Sequence, residues 1–156
     1  MLKYIGILCI FIASVMPIFE LRRRNFLTAA EYAYFTELLS GIVSRLRYMR
    51  PIGDFVRSFD TSSVLHILPS GGGELLTDCR AVSERLSLPE GVREALVGYF
   101  SSLGVGTADG ELSRASSLLE LVGKSEKEWR SSSRTALRVR SAICLSLGLT
   151  LVILLI

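Results

Sequence analysis

Residues 27–46 read LTAAEYAYFTELLSGIVSRL, and the spacing within them decides the fold class. Leu27, Tyr34, Leu38, Ile42 and Leu46 follow one another at intervals of seven or four. Residues four and seven apart share one face of an α-helix, whereas a half-buried strand requires strict alternation. The pattern predicts a helix over roughly residues 21–48, with Glu31 and Glu37 on the polar face opposite the stripe. Arg50-Pro51 ends it, because proline disfavours helical backbone in the residue before it. Pro51 is then placed to open a short second helix through about Phe59, and Asp60, Thr61 and Ser62 make the next break.

Towards the C-terminus the same period recurs. Val64 to Leu68 is a short apolar piece carrying His66, the one histidine of the chain; with no second ligand near it in sequence, it is assigned a structural role. Pro69 to Gly73, PSGGG, reads as a flexible loop. It lacks the GxxxxGK[ST] arrangement of a phosphate-binding loop and has no lysine near it. Glu74 to Leu86 supports a helix with Leu75, Cys79, Val82 and Leu86 on one side. Ser87 then serves as N-cap, with Pro89 near the first turn of a helix that carries Val92, Ala95, Leu96, Tyr99, Phe100 and Leu103. Gly104 is placed to terminate that helix. After a loop to Gly110, Asp109 is expected to cap a final helix whose Leu112, Ala115, Leu119, Val122 and Trp129 follow a near-heptad rhythm. The aromatic residues Tyr34, Phe100 and Trp129 read as core.

The two ends differ from this middle. Between Leu2 and Phe19 there is a single charge, Lys3, and between Ser141 and Ile156 there is none, in a chain of mean hydropathy +0.43. A bilayer crossing takes about 20 apolar residues. The expectation is therefore a transmembrane helix over residues 1–19, a helical domain over 20–140, and a second transmembrane helix over 141–156. A cleaved signal peptide is disfavoured because PIFELRRR (residues 17–24) follows the apolar core without a small-x-small site. Arg22, Arg23 and Arg24 on one side, and Arg138 and Arg140 on the other, lie towards the domain; only Lys3 lies beyond. The bias of arginine and lysine towards the cytoplasm then predicts both termini outside and the domain inside.

Composition narrows the chemistry. Three cysteines, Cys9, Cys79 and Cys144, give no disulfide framework and no metal spacing. Acidic residues are spread over polar helix faces, and Glu126-Lys127-Glu128 reads as a solvated run. No catalytic, cofactor-binding or metal-binding residues are assigned, no cofactor is expected, and the reading is not an enzyme. The arginines cluster where the apolar ends begin, so nucleic acid is not an expected partner.

The order of parts resembles the stage III sporulation protein AB family of endospore-forming bacteria. The residues that carry the resemblance are Met1-Leu2-Lys3 with Ile5-Gly6; Leu38 and Ile42 before Arg50-Pro51-Ile52-Gly53-Asp54; Leu103-Gly104 with Thr107 and Asp109; and Leu147-Gly148 with Leu151 to Ile156. The resemblance implies an all-α antiparallel helical bundle similar to the cytoplasmic domain of the type II secretion F component. It further implies a non-enzymatic membrane platform in a sporulation channel complex between mother cell and forespore. The partners it implies are a cytoplasmic secretion-type ATPase and other small membrane proteins, with a homo-oligomer as a further option. Arg50, Pro51, Asp54, Gly104, Thr107 and Asp109 are the expected partner-binding residues. The alternatives are a holin-like pore-forming hairpin and a membrane-anchored regulator of an unrelated partner.

Overall fold

Every regular element among the described residues is helical, as the sequence periods require. The computed structural model describes the backbone of residues 2–155 and their side chains, apart from those of residues 2–11, 13, 14, 148, 151, 152, 154 and 155. Helix α1 is Leu2–Arg47, α2 Gly53–Ser58, α3 Glu74–Thr77, α4 Cys79–Arg85, α5 Glu90–Ser101 and α6 Ala108–Leu155, with a 3-10 turn at Ser62–Val64. The chain divides into two units, residues 27–127 and residues 1–26 together with 128–156.

The first unit has a closed apolar core. From α1 it takes Tyr32, Tyr34, Phe35, Leu38, Leu39 and Ile42; the shorter elements add Val56, Val64, Ile67, Leu68, Leu75 and Val82. Val92, Leu96, Tyr99 and Phe100 come from α5, and Ala115, Leu118 and Val122 from α6. Burying one such side chain stabilises the fold by about 1.5–3 kcal/mol. That outweighs the modest helix preference of tyrosine, phenylalanine and threonine, which costs at most about 0.7 kcal/mol per residue. The buried part of α1 is wider than the single expected stripe, and Glu31, expected on the polar face, is fully buried. The Tyr32 hydroxyl lies 2.8 Å from Ser125 Oγ, joining α1 to α6.

Several local expectations are revised. Residues 74–86 form two helices, because Asp78 leaves helical backbone (φ −145°, ψ 61°) and its carboxylate accepts from Ala81 N at 3.1 Å, capping α4. Pro89, in place of Ser87, occupies the N-cap of α5. Helix α6 starts one residue before Asp109, and Thr107 Oγ1 accepts from Gly110 N at 3.3 Å, so the cap is threonine. Asp109 sits instead in the first turn, where its charge favours the helix dipole. The PSGGG segment is a defined turn: Gly71 has φ +97°, Ser70 N donates to Glu74 Oε1 at 2.8 Å, and Gly72 is pressed against the Val56 carbonyl.

The expected transmembrane helices at the two ends are corrected. Among the described residues no helix is long and apolar enough to cross a membrane. In α1 the described apolar residues, such as Ile12, Met16 and Phe19, give way to Glu20, Arg22, Arg23 and Arg24, and Pro17 stands within the helix. In α6 the described apolar residues follow the charged Arg138 and Arg140 within one continuous helix. Lys3, most of the first expected span and much of the end of the second lie outside the described side chains. Arg22, Arg23, Arg24, Arg138 and Arg140 are exposed on helices that continue through them, and Arg24 pairs with Glu20 at 3.1 Å. The topology inferred from these arginines presupposes those spans.

The glycines supply a paired test. A Cβ at Gly72 would lie 2.1 Å from the Val56 carbonyl oxygen, whereas one at Gly98, inside α5, would meet nothing within 4 Å. Gly72→Ala is expected to destabilise the full chain by about 2 kcal/mol, since backbone must move. Gly98→Ala is expected to stabilise it by up to about 1 kcal/mol through helix propensity. Thermal unfolding followed by circular dichroism of the two variants checks both signs.

Candidate functional site

The chain leaves α1 through a tight turn. Tyr48 N donates to Arg45 O at 3.1 Å, Met49 N to Leu46 O at 3.1 Å and Arg50 N to Arg45 O at 3.0 Å, so the last carbonyls of α1 are paired. The geometry puts Met49 in the left-handed region, φ 50°, where a side chain larger than glycine's is strained. Tyr48 and Met49 nevertheless point outward, 73% and 87% exposed. Beneath the turn, the Arg45 guanidinium stacks 4.4 Å from the Phe55 ring centroid. The Phe55 ring lies over Gly41, where a Cβ would approach it to 2.4 Å. The turn is therefore anchored from below and apolar above. Arg50, Pro51 and Asp54, expected as partner-binding residues, are all exposed on it.

The other expected contacts occupy the connection from α5 to α6. Gly104 has φ +86°, Thr107 caps α6, and Asp109 is exposed in its first turn. Val105 projects between them, 83% exposed. Under this connection Glu111 is buried, 3.5 Å from Arg114 Nη1, and no hydrogen bond reaches its carboxylate oxygens. Arg114 turns instead to Ser102 Oγ and to Gly98 O at 3.4 Å. Burial pushes the neighbouring Tyr99 hydroxyl up to about 12, helped by the Glu111 charge and opposed by Arg114. Among the described residues, no hydrogen bond or ion pair joins Arg50, Pro51 or Asp54 to Gly104, Thr107 or Asp109.

A third cluster escapes sequence reasoning. Glu31 is fully buried; His66 Nε2 stands 3.0 Å from its Oε1, and Ser87 N donates to its Oε2 at 2.8 Å. The carboxylate thus joins α1 to the 64–68 segment and to the link between α4 and α5. His66 keeps its structural assignment but gains a partner that its sequence neighbourhood does not contain. No three His, Cys, Asp or Glu side chains among the described residues are arranged to hold a metal ion. The cysteines Cys79 and Cys144 are free thiols.

Comparison with family models, curated proteins and solved structures finds no match to this chain.

Removing Glu31 should have a large effect. Glu31→Ala leaves a buried backbone N–H and an imidazole without their acceptor, and a loss of about 3 kcal/mol is expected in urea unfolding. At the exposed Glu37 the same change should stay within about 0.5 kcal/mol. Alkaline pH supplies a second check. Tyr34 and Tyr99 are both raised above the ordinary 10.0, so the unfolded chain releases these protons at lower pH than the folded one. Their contribution to stability is complete below pH 10.0 and declines as pH rises towards about 12, the value for Tyr99. Tyr99→Phe is expected to make the fall in unfolding temperature over that interval shallower.

Proposed function

We propose that the chain is a non-enzymatic docking and scaffold protein, in which the helical unit 27–127 binds a cytoplasmic secretion-type ATPase of a sporulation channel assembly. The observation that carries the docking role is the turn at residues 48–54. Tyr48 and Met49 present apolar surface at high exposure on backbone whose amides are already paired, and Arg50 and Asp54 supply charges of both signs around it. Solvent-facing aromatic and methionine side chains bordered by arginine are the composition of a protein-binding surface. Val105 with Thr107 and Asp109 offers a second exposed segment of similar kind. The choice of ATPase as partner rests on the resemblance of the short motifs around these two segments.

The test is co-purification of a secretion-type ATPase from the source cells, with the full chain as bait. Met49→Gly is the informative variant, because it deletes the exposed side chain and also relieves the left-handed backbone. Its unfolding free energy is expected to rise by about 1 kcal/mol while its capture of the ATPase weakens. A bait that retains no ATPase, or a Met49→Gly bait that retains it undiminished, overturns the reading.

A further inference from the structure

Basic residues gather where α1 gives way to α2. From Arg45 to Arg57 there are four arginines and one acid, Asp54, whereas over the rest of residues 27–127 acids outnumber lysine and arginine by twelve to six. Arg47, Arg50 and Arg57 are exposed and enter no ion pair among the described residues, while Arg85 and Arg114 of the same unit are paired with Glu74 and Glu111. Arginine in the last turn of a helix ordinarily answers the dipole of its free carbonyls. Here Arg45 O and Leu46 O already accept from the amides of the turn, and the Arg45 guanidinium lies over the Phe55 ring. The other three charges exceed what the helix end requires.

The surface these arginines border is apolar and fixed, since Tyr48 and Met49 project from backbone whose amides are paired. Uncompensated positive charge around such side chains repels itself and attracts a partner of opposite sign. Guanidinium forks pair with carboxylates through two parallel N–H bonds, and arginine clusters recognise acidic segments of other chains. The extent of the patch selects among anions. Nucleic acid or an anionic bilayer spreads its charge over a wider surface, and would meet the acids that prevail over the rest of the unit. Asp54, inside the patch, disfavours them too. A short acidic segment covers the arginines alone.

We infer that residues 45–57 bind a short acidic segment of a partner protein, with its carboxylates on Arg47, Arg50 and Arg57 and one apolar side chain against Tyr48 and Met49. The inference rests on the docking role proposed above for this turn and supplies the chemistry of what docks there. Its test uses no ATPase. Failure of peptide binding with intact ATPase capture counts against the acidic segment alone; peptide binding without ATPase capture counts against the ATPase alone.

Fluorescence anisotropy of a labelled, end-capped peptide Gly-Asp-Glu-Leu-Asp-Glu-Gly, titrated with the full chain, reads the association. Saturable binding is expected, with the amide analogue Gly-Asn-Gln-Leu-Asn-Gln-Gly at least about tenfold weaker. Arg47→Glu combined with Arg50→Glu should weaken it at least about tenfold. Lys124→Glu combined with Lys127→Glu changes the net charge equally at two exposed positions of α6, and should stay within about twofold. Absence of saturable binding to the unmodified chain, or equal binding of the amide analogue, overturns the inference whether or not the variants fold. Equal weakening by the two double variants also overturns it, because net charge rather than a site then governs binding. A single-stranded oligonucleotide or a phosphatidylglycerol vesicle that binds more tightly than the peptide, and loses that advantage in the Arg47→Glu, Arg50→Glu chain, overturns it in favour of nucleic acid or lipid.

Discussion

A single buried carboxylate holds together parts of the helical unit that sequence alone would leave independent. Glu31 has no exposed surface, yet its two oxygens serve two different segments, His66 on one side and the Ser87 amide on the other. An ion or amide in such surroundings is tolerated only when paired, because desolvation without compensation costs several kcal/mol. The geometry is thus mutually enforcing. The 64–68 segment must lie against α1 to give the carboxylate its imidazole, and the α4–α5 link must return to the same place to give it an amide. The apolar residues beside these contacts, Ile67, Leu68, Leu86 and Leu88, are buried in consequence.

The spacing rules read the individual helices well because they depend on local geometry. Tyr34, Leu38 and Ile42 on α1, and Val92, Leu96, Tyr99 and Phe100 on α5, are buried where a 3.6-residue period puts them. Gly104 does take up a left-handed conformation after α5. What one stripe cannot say is whether a second face of the same helix is also covered. Tyr32, Phe35 and Leu39 are buried on such a face, and Glu31 with them. The break at Asp78 was readable in principle, since an aspartate makes a better cap than a helix interior residue. The end segments were read from hydropathy and from the arginines beside them, and neither registers that one helix continues from the apolar residues through the charged ones.

The candidate surfaces were legible only in part. Arg50, Pro51 and Asp54 lie on an exposed turn, as expected, but the apolar residues beside them, Tyr48 and Met49, gave no signal. Nothing in a methionine's identity announces a positive φ.

The strained conformation of Met49 has a thermodynamic consequence for recognition. The turn spends part of the folding free energy to hold an exposed side chain on backbone that is already fixed. A molecule that grips Met49 therefore meets a preorganised surface, and the ordering cost of association is confined to the methionine's own rotamers. Affinity there would grow from rigidity rather than from area, so that a small contact could be selective without being large.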